Sequence, residues 1–321
     1  MKHLIFSLVM PLALSLTFLL PLTGTAQTRK IVAEGGIPQW KDAPAYAPEL
    51  AQNVLKRSVF FMPMFGAVYP EKFETLLTHM PNTNLRGVVI YNHGCGGQWG
   101  YETGVSQHFY RLGFAVIAPE FPSREGNKLG CPGSDPQEAL RRSGERAREG
   151  IYTAMNPARL AARAADVMAV VNWLKSRTKL PILIGGHSEG CRTTYSLHLN
   201  DPQIVGGICV KQGLQTTYEH TWRWNTSMPM WQSLEEFDPW VTFPPGTKVQ
   251  EVTFERKFKD HLDQLTVVIV PGNTHNPLNH DRERSSLNAW LDKHVPKAPG
   301  FNQSGFNYES ILPELQQRLR R

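Results

Sequence analysis

Pro181-Ile-Leu-Ile-Gly-Gly-His-Ser-Glu-Gly190 is the stretch around which the chain is organised. Pro181 to Ile184 is a short apolar run, Gly186-His187-Ser188-Glu189-Gly190 follows it, and the polar segment beyond is readable as a helix. The order is therefore strand, tight turn, helix, with a serine at the apex. A turn this sharp forces the serine backbone into a strained conformation, and a glycine on either side lets the flanking chain pass without Cβ clashes. The strain holds the hydroxyl out at the end of a sheet, where backbone N–H groups face any negative charge that forms beside it. The alternative is a glycine-rich turn in a purely structural sheet. The apolar run before and the helical segment after favour the first reading.

Working outward, Arg86-Gly-Val-Val-Ile-Tyr91 is a strand that ends in the glycine-rich turn Asn92-His93-Gly94-Cys95-Gly96-Gly97. Gly104 to Leu112 is a short helix closed by Gly113, and Phe114 to Ala118 is the next strand. It opens into a long loop, Pro119 to Asp135, that holds Cys131. Asn156-Pro157 suits a helix start, and Leu160, Ala164, Val167, Val170, Val171 and Leu174 then recur at helical spacing. Ile204–Val210 and Leu265–Val270 are further strands, and Asp281 opens a helix with Leu287, Trp290 and Leu291 on one face. Val59–Met64 and Phe73–Leu77 are the expected first strands, after an extended arm over residues 27–58. Between Lys211 and Pro245 lie Tyr218, Trp222, Trp224, Trp231, Phe237 and Trp240, as core or as the wall of a pocket. Strands alternating with helices predict an α/β fold, a mostly parallel sheet with helices on both faces. Ligands bind beyond the carboxyl ends of such strands, which puts Ser188, the His93–Gly97 turn and His275 on one edge.

The 321 residues suffice for one large domain, and 41% hydrophobic with 19% charged residues is ordinary for a globular enzyme. A net charge of +6 is mild. The densest basic stretch, Arg141, Arg142, Arg146 and Arg148, is interleaved with Glu138, Glu145 and Glu149, so a nucleic-acid surface is not expected. Residues 1–26 read as a signal peptide: Lys2, an apolar run from Leu4 to Leu20, and Gly24 and Ala26 at a small-residue exit. Cleavage after Ala26 predicts an exported, periplasmic or secreted protein without a stable membrane anchor. Residues 27–295 then form the domain and 296–321 a tail. Four cysteines in an oxidising compartment are expected to pair. Their places relative to the strands predict Cys95–Cys131 and Cys191–Cys209. No C-x-x-C spacing suggests zinc, and no metal or organic cofactor is expected.

The Gly186–Gly190 elbow, the His93–Gly97 turn after a strand, and a histidine after the last strand together resemble the α/β-hydrolase superfamily. The layout is similar to its dienelactone-hydrolase-like and esterase branches over roughly residues 85–295. That resemblance implies a Ser…acid…His triad in chain order. Ser188 would be the nucleophile, where dienelactone hydrolases proper carry cysteine. His275 would be the base, with His280 as runner-up; His261 and His294 read as surface. The acid is expected after the strand before the last, where Asp238 is first choice and Glu235, Glu236 and Glu255 are alternatives. The oxyanion hole would use the N–H of Glu189 and that of Cys95 or Gly96. A small-molecule ester or acyl compound would be the substrate. A peptidase, thioesterase or acyltransferase would share this chemistry, and a binding protein that kept the scaffold would lack it.

Overall fold

The computed structural model describes residues 48–79, 85–98, 100–121, 157–241 and 248–297. Among these residues eight strands form one sheet: β1 (Val59–Met62), β2 (Gly66–Val68), β3 (Gly87–Asn92), β4 (Phe114–Ala118), β5 (Ile182–His187), β6 (Ile204–Val210), β7 (Met230–Glu235) and β8 (Leu265–Val270). The helices are α1 (Pro48–Lys56), α2 (Pro70–His79), α3 (Gly100–Arg111), α4 (Pro157–Lys175), α5 (Glu189–Tyr195) and α6 (Asp281–His294). The strand order is β2-β1-β4-β3-β5-β6-β7-β8. β1 runs antiparallel to β2 and β4, and every other pairing is parallel. The expected fold class is the one observed.

The core divides as the pleat requires. Val88, Ile90, Ile182 and Ile184 face one layer with α1, α2, α4 and α5. Val89, Tyr91 and Leu183 face the other, where Val105 and Phe109 of α3 and Leu287, Trp290 and Leu291 of α6 cover them. Both faces of the central strands are dry, which explains their continuous apolar runs. From the neighbouring pair β3 and β5 the chain order runs outward in opposite directions, so a topological switch point lies between them. Asn92 is level with Gly186, and His187 with Val210, so the turns after β3, β5 and β6 emerge together.

Several expectations near the N-terminal side are corrected. Phe73–Leu77 belongs to α2 rather than a strand: Pro70 opens the helix, Glu71 suits its first turn, and Phe73, Leu76 and Leu77 are buried at helical spacing. Part of the expected extended arm is α1. The first strand stops at Met62, before Met64 turns with φ 73°, and the hairpin partner β2 gave no apolar pattern to read. Among the described residues no helix is long and apolar enough to cross a membrane. The leader 1–26, the Arg141–Arg148 stretch, Cys131 and the tail beyond 297 lie outside the described residues.

Candidate active site

The turn after β5 is built from glycines that nothing else could replace. A Cβ at Gly190 would lie 1.9 Å from the Asn92 oxygen, and one at Gly186 would lie 2.2 Å from the Gly190 carbonyl carbon. Between them Ser188 adopts φ 53° and ψ −120°, in the region L-residues avoid. The Ser188 N–H donates to the Val210 oxygen at 2.9 Å, so β6 holds the strained residue in place. Ser188 is half-buried and lines a cleft of about 230 Å³, whose walls include Cys95, Gly96, Trp240, His275 and Pro277.

His275 follows β8, and Asp238 follows β7. Nδ1 of His275 donates to Oδ2 of Asp238 at 2.7 Å. Asp238 is fully buried, and its other oxygen accepts the Trp240 N–H at 2.9 Å. The two loops are tied by the Phe237 N–H, which donates to the Gly272 oxygen at 2.9 Å. Nε2 of His275 is buried and, among the described residues, makes no hydrogen bond. A ring oriented by a carboxylate at one nitrogen and left with an open lone pair at the other is suited to accept a proton.

The alternatives weighed from sequence go elsewhere. His280 Nε2 pairs with Glu235 at 2.7 Å. Glu235 also accepts from the Thr274 N–H and, at 3.2 Å, from the Thr274 hydroxyl, so it braces the loop that carries His275. Glu236, Glu255 and His261 are exposed, and His294 packs against Trp290 with ring centroids 5.0 Å apart.

On the opposite wall Gly94 leads the turn after β3, with Gly97 at φ 91°. His93 is buried, its Nε2 accepts the Phe121 N–H at 3.1 Å, and its Nδ1 donates to the Gly94 oxygen at 2.5 Å. Burial, aided by the nearby Arg163 charge, pushes its pKa down to about 3, so it is a neutral strut. Arg163 of α4 is itself 1% exposed. It lies 2.9 Å from the Glu189 carboxylate, donates to the His93 oxygen, and its guanidinium sits 4.3 Å over the Phe121 ring. One cation thus links the residue after Ser188 to the start of the opposite turn. Cys191 and Cys209 are bonded, joining the first turn of α5 to β6 as expected. Cys95 is disulfide-bonded as well, and its expected partner Cys131 lies outside the described residues.

Three polar residues of this region escaped sequence reasoning: Glu102, Arg163 and His187. A signal existed for two. Arg163 occupies the apolar stripe of α4 with Leu160, Val167 and Val170, and Glu102 sits at core register with Val105, Ser106 and Phe109. A charge at core spacing on a helix marks a buried ion pair.

The sequence profile of the dienelactone hydrolase family matches residues 73–298, well over half of the chain. The chain belongs to the dienelactone hydrolase family. A lactone is a cyclic ester, and ester hydrolysis is the class of chemistry this membership assigns. No curated protein matches the sequence. Solved structures similar to it include a phospholipase/carboxylesterase from Dyadobacter fermentans, 21% identical, covering 65% of this chain and 91% of that one with a TM-score of 0.44. Est1E from Butyrivibrio proteoclasticus is 13% identical, covering 74% and 93%, with a TM-score of 0.45. The esterase Pf2001 of Pyrococcus furiosus is 16% identical, covering 67% and 85%, with a TM-score of 0.46.

Proposed function

We propose that this family member is an exported serine hydrolase that cleaves small esters through Ser188, His275 and Asp238. The observation that carries the reading is the strained Ser188 in the same cleft as a histidine oriented by a buried carboxylate. In the proposed cycle Ser188 Oγ attacks the ester carbonyl while His275 Nε2 takes its proton. The oxyanion of the tetrahedral intermediate accepts the N–H of Glu189 and that of Cys95 or Gly96. His275 then gives its proton to the departing alcohol, leaving an acyl-enzyme. Water attacks the acyl carbon with His275 again as base, and the acid and free Ser188 result. Serine stands where dienelactone hydrolases proper carry cysteine.

Substrate size follows from the cleft. About 230 Å³ lies below the range of drug-sized pockets, and Trp240 and Pro277 narrow it, which suits a short acyl group. Export and removal of residues 1–26 are proposed from the apolar leader, with the paired cysteines in keeping. N-terminal sequencing of exported protein would give Gln27 first. For the chemistry, a fluorophosphonate probe should label Ser188 alone, located by mass spectrometry, and Ser188→Ala should abolish both labelling and turnover of p-nitrophenyl acetate. Labelling at another residue in active protein defeats the assignment. A panel of graded acyl esters beside short peptides separates esterase from peptidase.

A further inference from the structure

The residue before Ser188 makes two hydrogen bonds that fix its charge. His187 is 9% exposed. Its Nε2 lies 2.8 Å from the backbone oxygen of His275, and its Nδ1 lies 2.8 Å from Oε1 of Glu102. A backbone carbonyl only accepts, so Nε2 carries a proton. Oε1 of Glu102 also accepts the Gly94 N–H at 2.9 Å, and Oε2 accepts the Tyr91 hydroxyl at 2.7 Å. Two donors from outside the ring, the Gly94 N–H and the Tyr91 hydroxyl, converge on this carboxylate and favour its ionised form. An ionised carboxylate has no proton to give, so Nδ1 of His187 carries one too.

We propose that His187 is a positioning residue that works as a doubly protonated imidazolium, clamping the His275 loop to the turn that carries Ser188 and, through Glu102, to the Gly94–Gly97 turn. This rests on the catalytic reading of Ser188 and His275 above. The clamp touches all three segments that meet at the cleft: the nucleophile turn by covalent continuity, the base by its own carbonyl, and the oxyanion wall through the Gly94 N–H. The groups facing His187 come from each neighbouring element. Glu102 of α3 and Asp238 after β7 supply negative charge. Tyr91 of β3 meets the far oxygen of Glu102, and the His275 ring lies with its centroid 4.8 Å away. Burial alone would lower the pKa of His187. The charge and hydrogen bond of Glu102, the His275 carbonyl and the charge of Asp238 outweigh it, and the pKa is raised above the usual 6.5.

Loss of the second proton at high pH would turn a lone pair toward either the His275 carbonyl or the Glu102 carboxylate. Either contact is repulsive and loosens the base loop. Turnover should therefore have an alkaline limb belonging to His187, distinct from the acid limb on which a general base must be neutral.

The test uses the full mature chain labelled with ¹⁵N-histidine. In wild type at pH 7 one ring should show both nitrogens at imidazolium shifts, and that ring should vanish from the spectrum of His187→Gln. In Glu102→Gln the same ring should release its second proton at a lower pH, which also assigns it if His187→Gln does not fold. With p-nitrophenyl acetate, Glu102→Gln should lose kcat by on the order of 100-fold with KM changed less than about two-fold, since misplaced groups cost rate rather than binding. Its alkaline limb should move to lower pH, and Glu102→Asp should recover part of both. A singly protonated His187 in wild type at pH 7, or an alkaline limb unmoved in Glu102→Gln, overturns the proposal while the roles of Ser188 and His275 stand. Turnover retained by Ser188→Ala overturns the catalytic reading and this role together, whatever the spectrum shows.

Discussion

Replacing Asp238 with asparagine changes one oxygen for an NH₂ group and keeps the shape of the side chain. The two carboxylate oxygens have different duties. Oδ2 accepts from His275 Nδ1 at 2.7 Å, and Oδ1 accepts from the Trp240 N–H at 2.9 Å. Asparagine has only one oxygen to offer. The Trp240 N–H is a fixed backbone donor in a tight turn, so the amide oxygen must face it, and the NH₂ group then faces His275. Nδ1 becomes an acceptor, and the single proton of the neutral ring moves to Nε2. That nitrogen is the one left without a hydrogen-bond partner among the described residues, on a ring that lines the same cleft as Ser188. Once protonated it has no lone pair to take the serine proton. The wrong tautomer in a serine triad costs about 10⁴ in kcat, or about 5 kcal/mol of barrier at roughly 1.36 kcal/mol per tenfold. KM should change little, because Asp238 is fully buried and does not border the cleft. Initial rates with p-nitrophenyl acetate read kcat and KM, and a thermal melt shows that the variant is folded. If Asp238→Asn keeps more than about a tenth of native kcat, tautomer control by Asp238 is wrong. Loss of activity in Glu235→Gln instead would move the acid to Glu235.

Two further outcomes bear on the frame. Gly190→Ala would put a methyl carbon 1.9 Å from the Asn92 backbone oxygen, inside any tolerable contact, so it should lower the melting temperature sharply or leave no soluble protein, whereas Gly104→Ala, inside α3 with open space around it, should melt at or slightly above the native temperature. Stability should also fall off at both ends of the pH scale. Burial would raise the pKa of Glu102, but the charge and hydrogen bond of His187 and the bonds from Gly94 and Tyr91 bring it below 4.5; its contribution is therefore present above the unfolded value and lost as pH falls through the folded one. His187, raised above 6.5, contributes fully below its unfolded value and loses that contribution as pH rises through the folded one. Thermal melts across a pH series should show a plateau between these limits. Glu102→Gln should flatten both shoulders, and unchanged shoulders would refute the linkage.

What could be read before the structure, and what could not, follows from the range of the forces involved. The elbow was legible because its requirements are local: glycines at 186 and 190 relieve clashes within five residues and with the strand alongside. Strands β3 to β6 were legible as dry apolar runs, since central strands are covered on both faces, and β8, the half-buried edge strand, was legible as an apolar run too. Phe73–Leu77 misled because a five-residue stretch with three apolar residues fits either period, and only Pro70 and Glu71 ahead of it favour helix. Asp238 and His275 were placed by their position relative to strands, although the family's usual glycine before the acid is absent. Arg163 and Glu102 needed the closed sheet. Their partners are 26 and 85 residues away in sequence for Glu189 and His187, and no local pattern encodes such a pairing. His187 was invisible for a simpler reason, as a residue inside the G-x-S-x-G motif that the motif itself leaves free.

Among the described residues the site holds three hydrogen-bonded histidine–carboxylate pairs: His275 with Asp238, His187 with Glu102, and His280 with Glu235. All three bonds measure 2.7 or 2.8 Å, and all three carboxylates are buried, so neither distance nor burial singles out a base. Occupancy of the ring and its place relative to the cleft do. His187 has both nitrogens engaged, one by Glu102 and one by the His275 carbonyl, and can neither accept nor release a proton without breaking the clamp. His280 turns its Nε2 into Glu235, whose carboxylate also holds the Thr274 N–H and faces the buried Lys211 at 3.7 Å, so that pair is absorbed into the support of the loop. Only His275 among them is bound at Nδ1 and open at Nε2, in the cleft that Ser188 lines. A general base must keep one lone pair available while something else fixes its orientation. Of these rings His275 alone meets both conditions in the cleft that Ser188 lines, and the Glu235 and His187 bonds brace the loop that carries it.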